Sequence, residues 1–73
     1  MSKVSIFRDG VWVGDGYWMY GIIRDCSAVL GADQDASEET CELLEDALAA
    51  LDGPGGEVRV ERPDGTYTAV LSE

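Results

Sequence analysis

Residues 15–31, DGYWMYGIIRDCSAVLG, decide the fold, because their composition suits a strand while their spacing suits a helix. Aromatic and β-branched residues crowd positions 17–23, and Gly21 costs a helix about 1 kcal/mol relative to alanine. At about 100° per residue, however, Trp18, Met19, Ile22, Ile23, Cys26, Val29 and Leu30 fall within one arc of about 140°. Strict alternation fails, since Ile22-Ile23 and Val29-Leu30 are adjacent. Asp15 can cap the start of a helix, and Gly31 sits where a left-handed terminator belongs. The spacing predicts a helix over 15–31. A strand over 17–24 is the alternative.

On the N-terminal side, VSIFRDGVWV (residues 4–13) sets two β-prone runs around Asp9-Gly10, a strong hairpin signal. A two-residue turn places Arg8 opposite Val11, Phe7 opposite Trp12 and Ile6 opposite Val13. Directly opposed residues share a face. Val4, Ile6, Val11 and Val13 then form a core side, and Phe7 and Trp12 form an aromatic pair on the other. On the C-terminal side, residues 31–36 make a polar connection to a second helix from about Ser37 to Leu51, capped by Asp35 or Ser37. Its buried stripe is Cys41, Leu44, Ala47, Leu48 and Leu51. Glu38, Glu39, Glu42, Glu45, Asp46 and Asp52 make the opposite face. Residues 52–56, DGPGG, stop it. A second hairpin follows over 57–72 around Pro63-Asp64-Gly65-Thr66. Pairing Arg62 with Tyr67 puts Val58, Val60, Tyr67, Ala69 and Leu71 on one face. The expected fold is α+β over a single domain, residues 1–73. Its order is ββ-αα-ββ, a four-stranded antiparallel sheet with two helices packed on one face. If 17–24 is a strand, the order becomes βββ-α-ββ.

The composition speaks to habitat. Fifteen acidic residues stand against five basic ones, with no histidine, for a net charge of −10. Yet 45% of the chain is hydrophobic, too much for a charge-rich disordered segment. A folded domain with an acidic coat repels itself at low ionic strength and is tolerated where salt screens it. The expectation is a protein of a halophile's cytoplasm. Met1-Ser2-Lys3 runs straight into a strand-like segment, so no signal peptide is expected. No apolar stretch approaches the length of a membrane span. A chain this short buries only about 60% of its unfolded surface, and such domains lean on a staple or an oligomer interface.

Little here promises catalysis. Without histidine the usual general base near neutral pH is missing. Carboxylate neighbours arise by chance on an acidic coat, so no enzymatic activity and no cofactor are expected. A structural zinc wants four Cys or His ligands, and this chain has only Cys26 and Cys41. Only a dimer pooling both pairs could complete such a site. Both cysteines lie on apolar stripes and are expected as small core residues; a bridge between them stays open. Gly14-Asp15-Gly16 lacks the lysine and glycine spacing of a phosphate loop and is expected as a turn.

The aromatics point to a partner instead. Phe7 and Trp12 lie away from the valines, and Tyr17 and Tyr20 lie opposite the apolar arc of 18–30. Exposed aromatic surface marks interaction sites. The leading expectation is a non-enzymatic protein-interaction module that forms a homodimer through Phe7, Trp12, Tyr17 and Tyr20. A small-ligand or metal-ion binding protein is the alternative, with the cysteines or aromatics lining a pocket. A nucleic-acid-associated regulator comes third, because a charge of −10 opposes phosphate.

Overall fold

Asp9 and Gly10 have φ of 51° and 83°, the two left-handed residues that a type I′ hairpin turn demands. They join β1 (Ser2–Arg8) to β2 (Val11–Met19). The computed structural model describes residues 2–30, 34–51 and 55–72. Arg8 lies opposite Val11 and Phe7 opposite Trp12, as the turn dictates, but Ile6 lies opposite Gly14 rather than Val13. Val13 is the extra residue of a β-bulge. Side chains alternate with a period of two, so one inserted residue exchanges the faces of everything after it. Beyond the bulge Gly14, Gly16 and Trp18 turn toward the core, and Asp15, Tyr17 and Met19 turn away. Val13 is half-buried in the bulge, and Val11, opposite Arg8 at the hairpin tip, is exposed, so neither joins the core with Val4 and Ile6.

The strand continues past this bulge to Met19, which overturns the expected helix over 15–31. Gly14-Asp15-Gly16, expected as a turn, lies in mid-strand. Tyr20 and Gly21, with φ of 53° and 79°, make a second tight turn into β3 (Ile22–Arg24). The segment 17–24 is thus two strands and a turn, and only α1 (Cys26–Leu30) is helical. Both glycines admit close neighbours: a Cβ on Gly14 would lie 2.7 Å from Val29 of α1, and one on Gly16 would lie 2.8 Å from the Arg24 carbonyl.

The longer helix, α2 (Gln34–Ala49), begins before the expected Ser37. Residues 31–33 and 52–54, which hold the expected terminator Gly31 and most of the DGPGG stop, lie outside the described residues. β4 (Glu57–Arg62) and β5 (Gly65–Ser72) form the last hairpin. Its turn is the two-residue Pro63-Asp64, so Arg62 pairs with Gly65 rather than Tyr67. That slip of two leaves every side chain on its expected face.

The architecture is corrected accordingly. Five antiparallel strands, not four, form a curled sheet in the order β3-β2-β1-β5-β4, with the helices on its concave side. Val4, Ile6, Ile23, Tyr67, Ala69 and Leu71 of the sheet meet Cys26, Cys41, Leu44 and Leu48 from the helices. Cys26 and Cys41 are not free thiols. They form a disulfide, with Cα atoms 6.1 Å apart, that ties α1 to α2. Thr40, a buried polar side chain of α2, accepts a 3.1 Å hydrogen bond from Arg62 Nε.

Candidate interaction face

With both helices on one side, the other side of the sheet is left open among the described residues. Its side chains follow from the register. Trp12, Phe7, Thr68 and Arg59 line up across four strands. Beside that row run Asp15, Ser5, Val70 and Glu57, and then Arg24, Tyr17, Lys3 and Ser72. Met19 and Ile22, directly opposed, extend the surface to the β3 edge. Trp12 is 59% exposed and Tyr17 50%, while Phe7 is half-buried.

Polar contacts hold the aromatic row in place. Trp12 Nε1 donates to Asp15 Oδ1 at 3.0 Å, and Lys3 Nζ lies 3.4 Å from Asp15 Oδ2. The indole hydrogen bond, with help from Ser5 and Lys3, holds the Asp15 carboxyl below its ordinary value of 3.8. Both partners stand on the open face because the bulge has turned Asp15 outward. At the hairpin tips Asp9 receives the Thr66 amide at 3.0 Å and returns its own amide to the Thr66 carbonyl at 2.9 Å. Nearby, the Tyr67 hydroxyl donates to Asp64 at 2.6 Å. That bond lowers the Asp64 carboxyl, while burial, seconded by Asp64, raises the Tyr67 hydroxyl above 10.0.

Charge is sharply segregated. The open face carries Lys3, Arg24 and Arg59 against Asp15, Glu57 and Glu61, three of each sign. The entire net charge of −10 therefore lies off this face, with six carboxylates and no basic residue on α2 alone.

Phe7, Trp12 and Tyr17 do share this surface. Tyr20 does not stand in it: it occupies the tip of the β2–β3 turn and is 95% exposed. Arg24 stands beside Tyr17, as the sequence places it, while Met19 and Ile22, which a helix over 15–31 assigns to the core, belong to the open face. Among the described residues no three His, Cys, Asp or Glu side chains converge as a metal site, and the bridged cysteines offer no thiolate. No described helix is long and apolar enough to cross a membrane. No family model, curated protein or solved structure matches the chain.

Proposed function

We propose that this chain is a non-enzymatic interaction module whose open sheet face pairs with a second copy of itself. The observation that carries this is the coincidence of exposed aromatics with electroneutrality on a molecule of charge −10. Two copies meeting through the solvent-facing side of α2 would bring Glu38, Glu42 and Asp46 of each copy together. Meeting through the open face, they set balanced charge against balanced charge and bury Trp12 and Tyr17, residue types enriched at interface centres. Molar salt suits the arrangement, since it strengthens apolar burial and screens the remaining repulsion. The same neutrality gives phosphate no net attraction, which disfavours a nucleic-acid partner.

Sedimentation equilibrium in molar potassium chloride tests the proposal. Trp12→Ala removes the largest exposed anchor, at an expected cost of about 2 kcal/mol, or roughly thirtyfold in Kd. Association unchanged by Trp12→Ala would overturn it.

A further inference from the structure

The two edges of the sheet are treated differently. At the β3 edge the outward amide of Ile23 is already taken, donating to Glu45 Oε2 of α2 at 2.7 Å. That carboxylate blocks the edge against pairing with another strand. The β4 edge is six residues long, without a proline or a bulge. The Gly56 carbonyl accepts from Leu71 of β5 at 2.9 Å, so by alternation the amides and carbonyls of Glu57, Arg59 and Glu61 point outward. Among the described residues nothing pairs with them.

What lies above that edge can be worked out from α2. Glu45 reaches toward β3, while Glu39 pairs with Arg62 of β4 at 3.3 Å. At the other end of the helix, Leu51 lies against Gly56. The helix therefore runs along β4 in the opposite direction. Leu43, Ala47 and Ala50 follow Glu39 at i+4, i+8 and i+11 and share its flank. Leu43, Ala47 and Ala50 make an apolar strip here, bordered by Glu39, which is paired with Arg62, and by Asp46 at i+7, which is exposed. Interpolating between the two anchors, at about 3.3 Å per strand residue and 1.5 Å per helix residue, sets Leu43 level with Val60. Leu43 is 38% exposed, and the core does not use it.

From these placements we infer that β4 is a self-pairing edge: two copies join it antiparallel about a two-fold axis through Val60, with Leu43 packing on its counterpart. The charges choose the register. Centred on Arg59, the pairing would oppose arginine to arginine and Glu57 to Glu61. Centred on Val60, it opposes Arg59 to Glu61 of the second copy, twice over. A register centred on Val58 also gives Arg59 a glutamate, Glu57, but separates the two copies of Leu43. Pairing at Val60 forms four main-chain hydrogen bonds and stops at Pro63, which has no amide to donate.

This interface goes beyond the open face; it shares Arg59 and Glu61 with the rim of that face but none of its aromatics, so it is tested in a chain whose open face Trp12→Ala has weakened. In molar potassium chloride, sedimentation velocity of Trp12→Ala should still detect a dimer. Adding Arg59→Glu turns two attractive pairs into repulsive ones and should weaken that dimer by about tenfold or more. Adding Glu61→Arg as well restores the complement and should restore the dimer. Leu43→Glu should weaken it independently, with circular dichroism confirming the fold in each case. If Arg59→Glu fails to fold, Glu61→Arg alone carries the same test. A monomeric Trp12→Ala chain at every concentration, indifference to Arg59→Glu, or rescue by Glu57→Arg instead of Glu61→Arg would overturn the inference. A failure of Trp12→Ala to weaken association in the parent chain would count against the open face alone.

Discussion

Opening the Cys26–Cys41 bridge is expected to remove a large share of the stability. The bridge spans fifteen positions and closes a loop that includes α1 and the start of α2. Constraining a loop of that length in the unfolded chain is worth about 3 kcal/mol. A chain of 73 residues is stabilised in total by roughly 4–11 kcal/mol, so the bridge accounts for a quarter or more. Unfolding entropy of about 2.1 cal/mol/K per residue gives roughly 0.15 kcal/mol/K here, which turns 3 kcal/mol into a fall of about 20 °C in Tm. Both sulfurs are buried between the helices and the sheet, on the side away from Trp12. Cys26→Ala with Cys41→Ala should therefore lower Tm while leaving self-association of the folded chain intact. Calorimetry of the oxidised, reduced and doubly substituted chains measures the first effect, and sedimentation measures the second. Equal melting of oxidised and reduced protein would refute the loop argument. Two titratable thiols in the native chain would refute the bridge itself.

Three more outcomes follow from named features. The net charge of −10 predicts that Tm rises substantially between about 0.1 M and 2 M potassium chloride, and a flat salt profile by circular dichroism would sink the halophilic reading. Gly16→Ala puts a methyl group 2.8 Å from the Arg24 carbonyl and 2.9 Å from Ile23, so β3 must shift. Denaturant melts should show a loss of about 1–3 kcal/mol; no loss would mean that β3 is free to yield. Tyr67 has a raised folded pKa, so its contribution is complete below 10.0 and is lost as pH climbs through the higher folded value. Asp64 has the opposite sign: its contribution is present above 3.8 and is lost as pH falls through its depressed folded value. Tyr67→Phe should flatten the alkaline limb of the stability profile and raise the Asp64 pKa, and an unchanged alkaline slope in Tyr67→Phe would contradict the assignment.

Where local chemistry and burial agree, the sequence is legible. Asp9-Gly10 implies a two-residue turn, and the pairs Arg8–Val11 and Phe7–Trp12 follow from it. Cys41, Leu44 and Leu48 of α2, and Tyr67, Ala69 and Leu71 of β5, face the core as their periods require. The register of the last hairpin was missed by two, because Pro63-Asp64 alone suffices to turn the chain. A slip of two is invisible to an argument based on faces. The segment 15–24 failed for a different reason. The tight turn at Tyr20-Gly21 brings Met19 against Ile22, three apart, and Trp18 against Ile23, five apart. A helix also gathers residues three and four apart, so the wheel read a hairpin as one continuous arc.

The faces of β2, and with them the membership of the open face, turn on the bulge at Val13. Nothing in the residue type of Val13 announces a bulge, since valine suits a regular strand equally well. Once the bulge is in place, the small residues Gly14 and Gly16 face the core, where α1 and β3 need room. Asp15 and Tyr17 face outward, where Asp15 holds the Trp12 indole and Tyr17 extends the aromatic surface. Without it, Asp15 and Tyr17 would point beneath α1, and two glycines would stand on the open face. A buried, unpaired carboxylate there would cost several kcal/mol. The sequence of β2 therefore fits a chain whose faces exchange before Gly14, as the slip at Val13 makes them do. That slip is written in the whole pattern of 14–18, glycine–acid–glycine–aromatic–aromatic, rather than in the bulged residue.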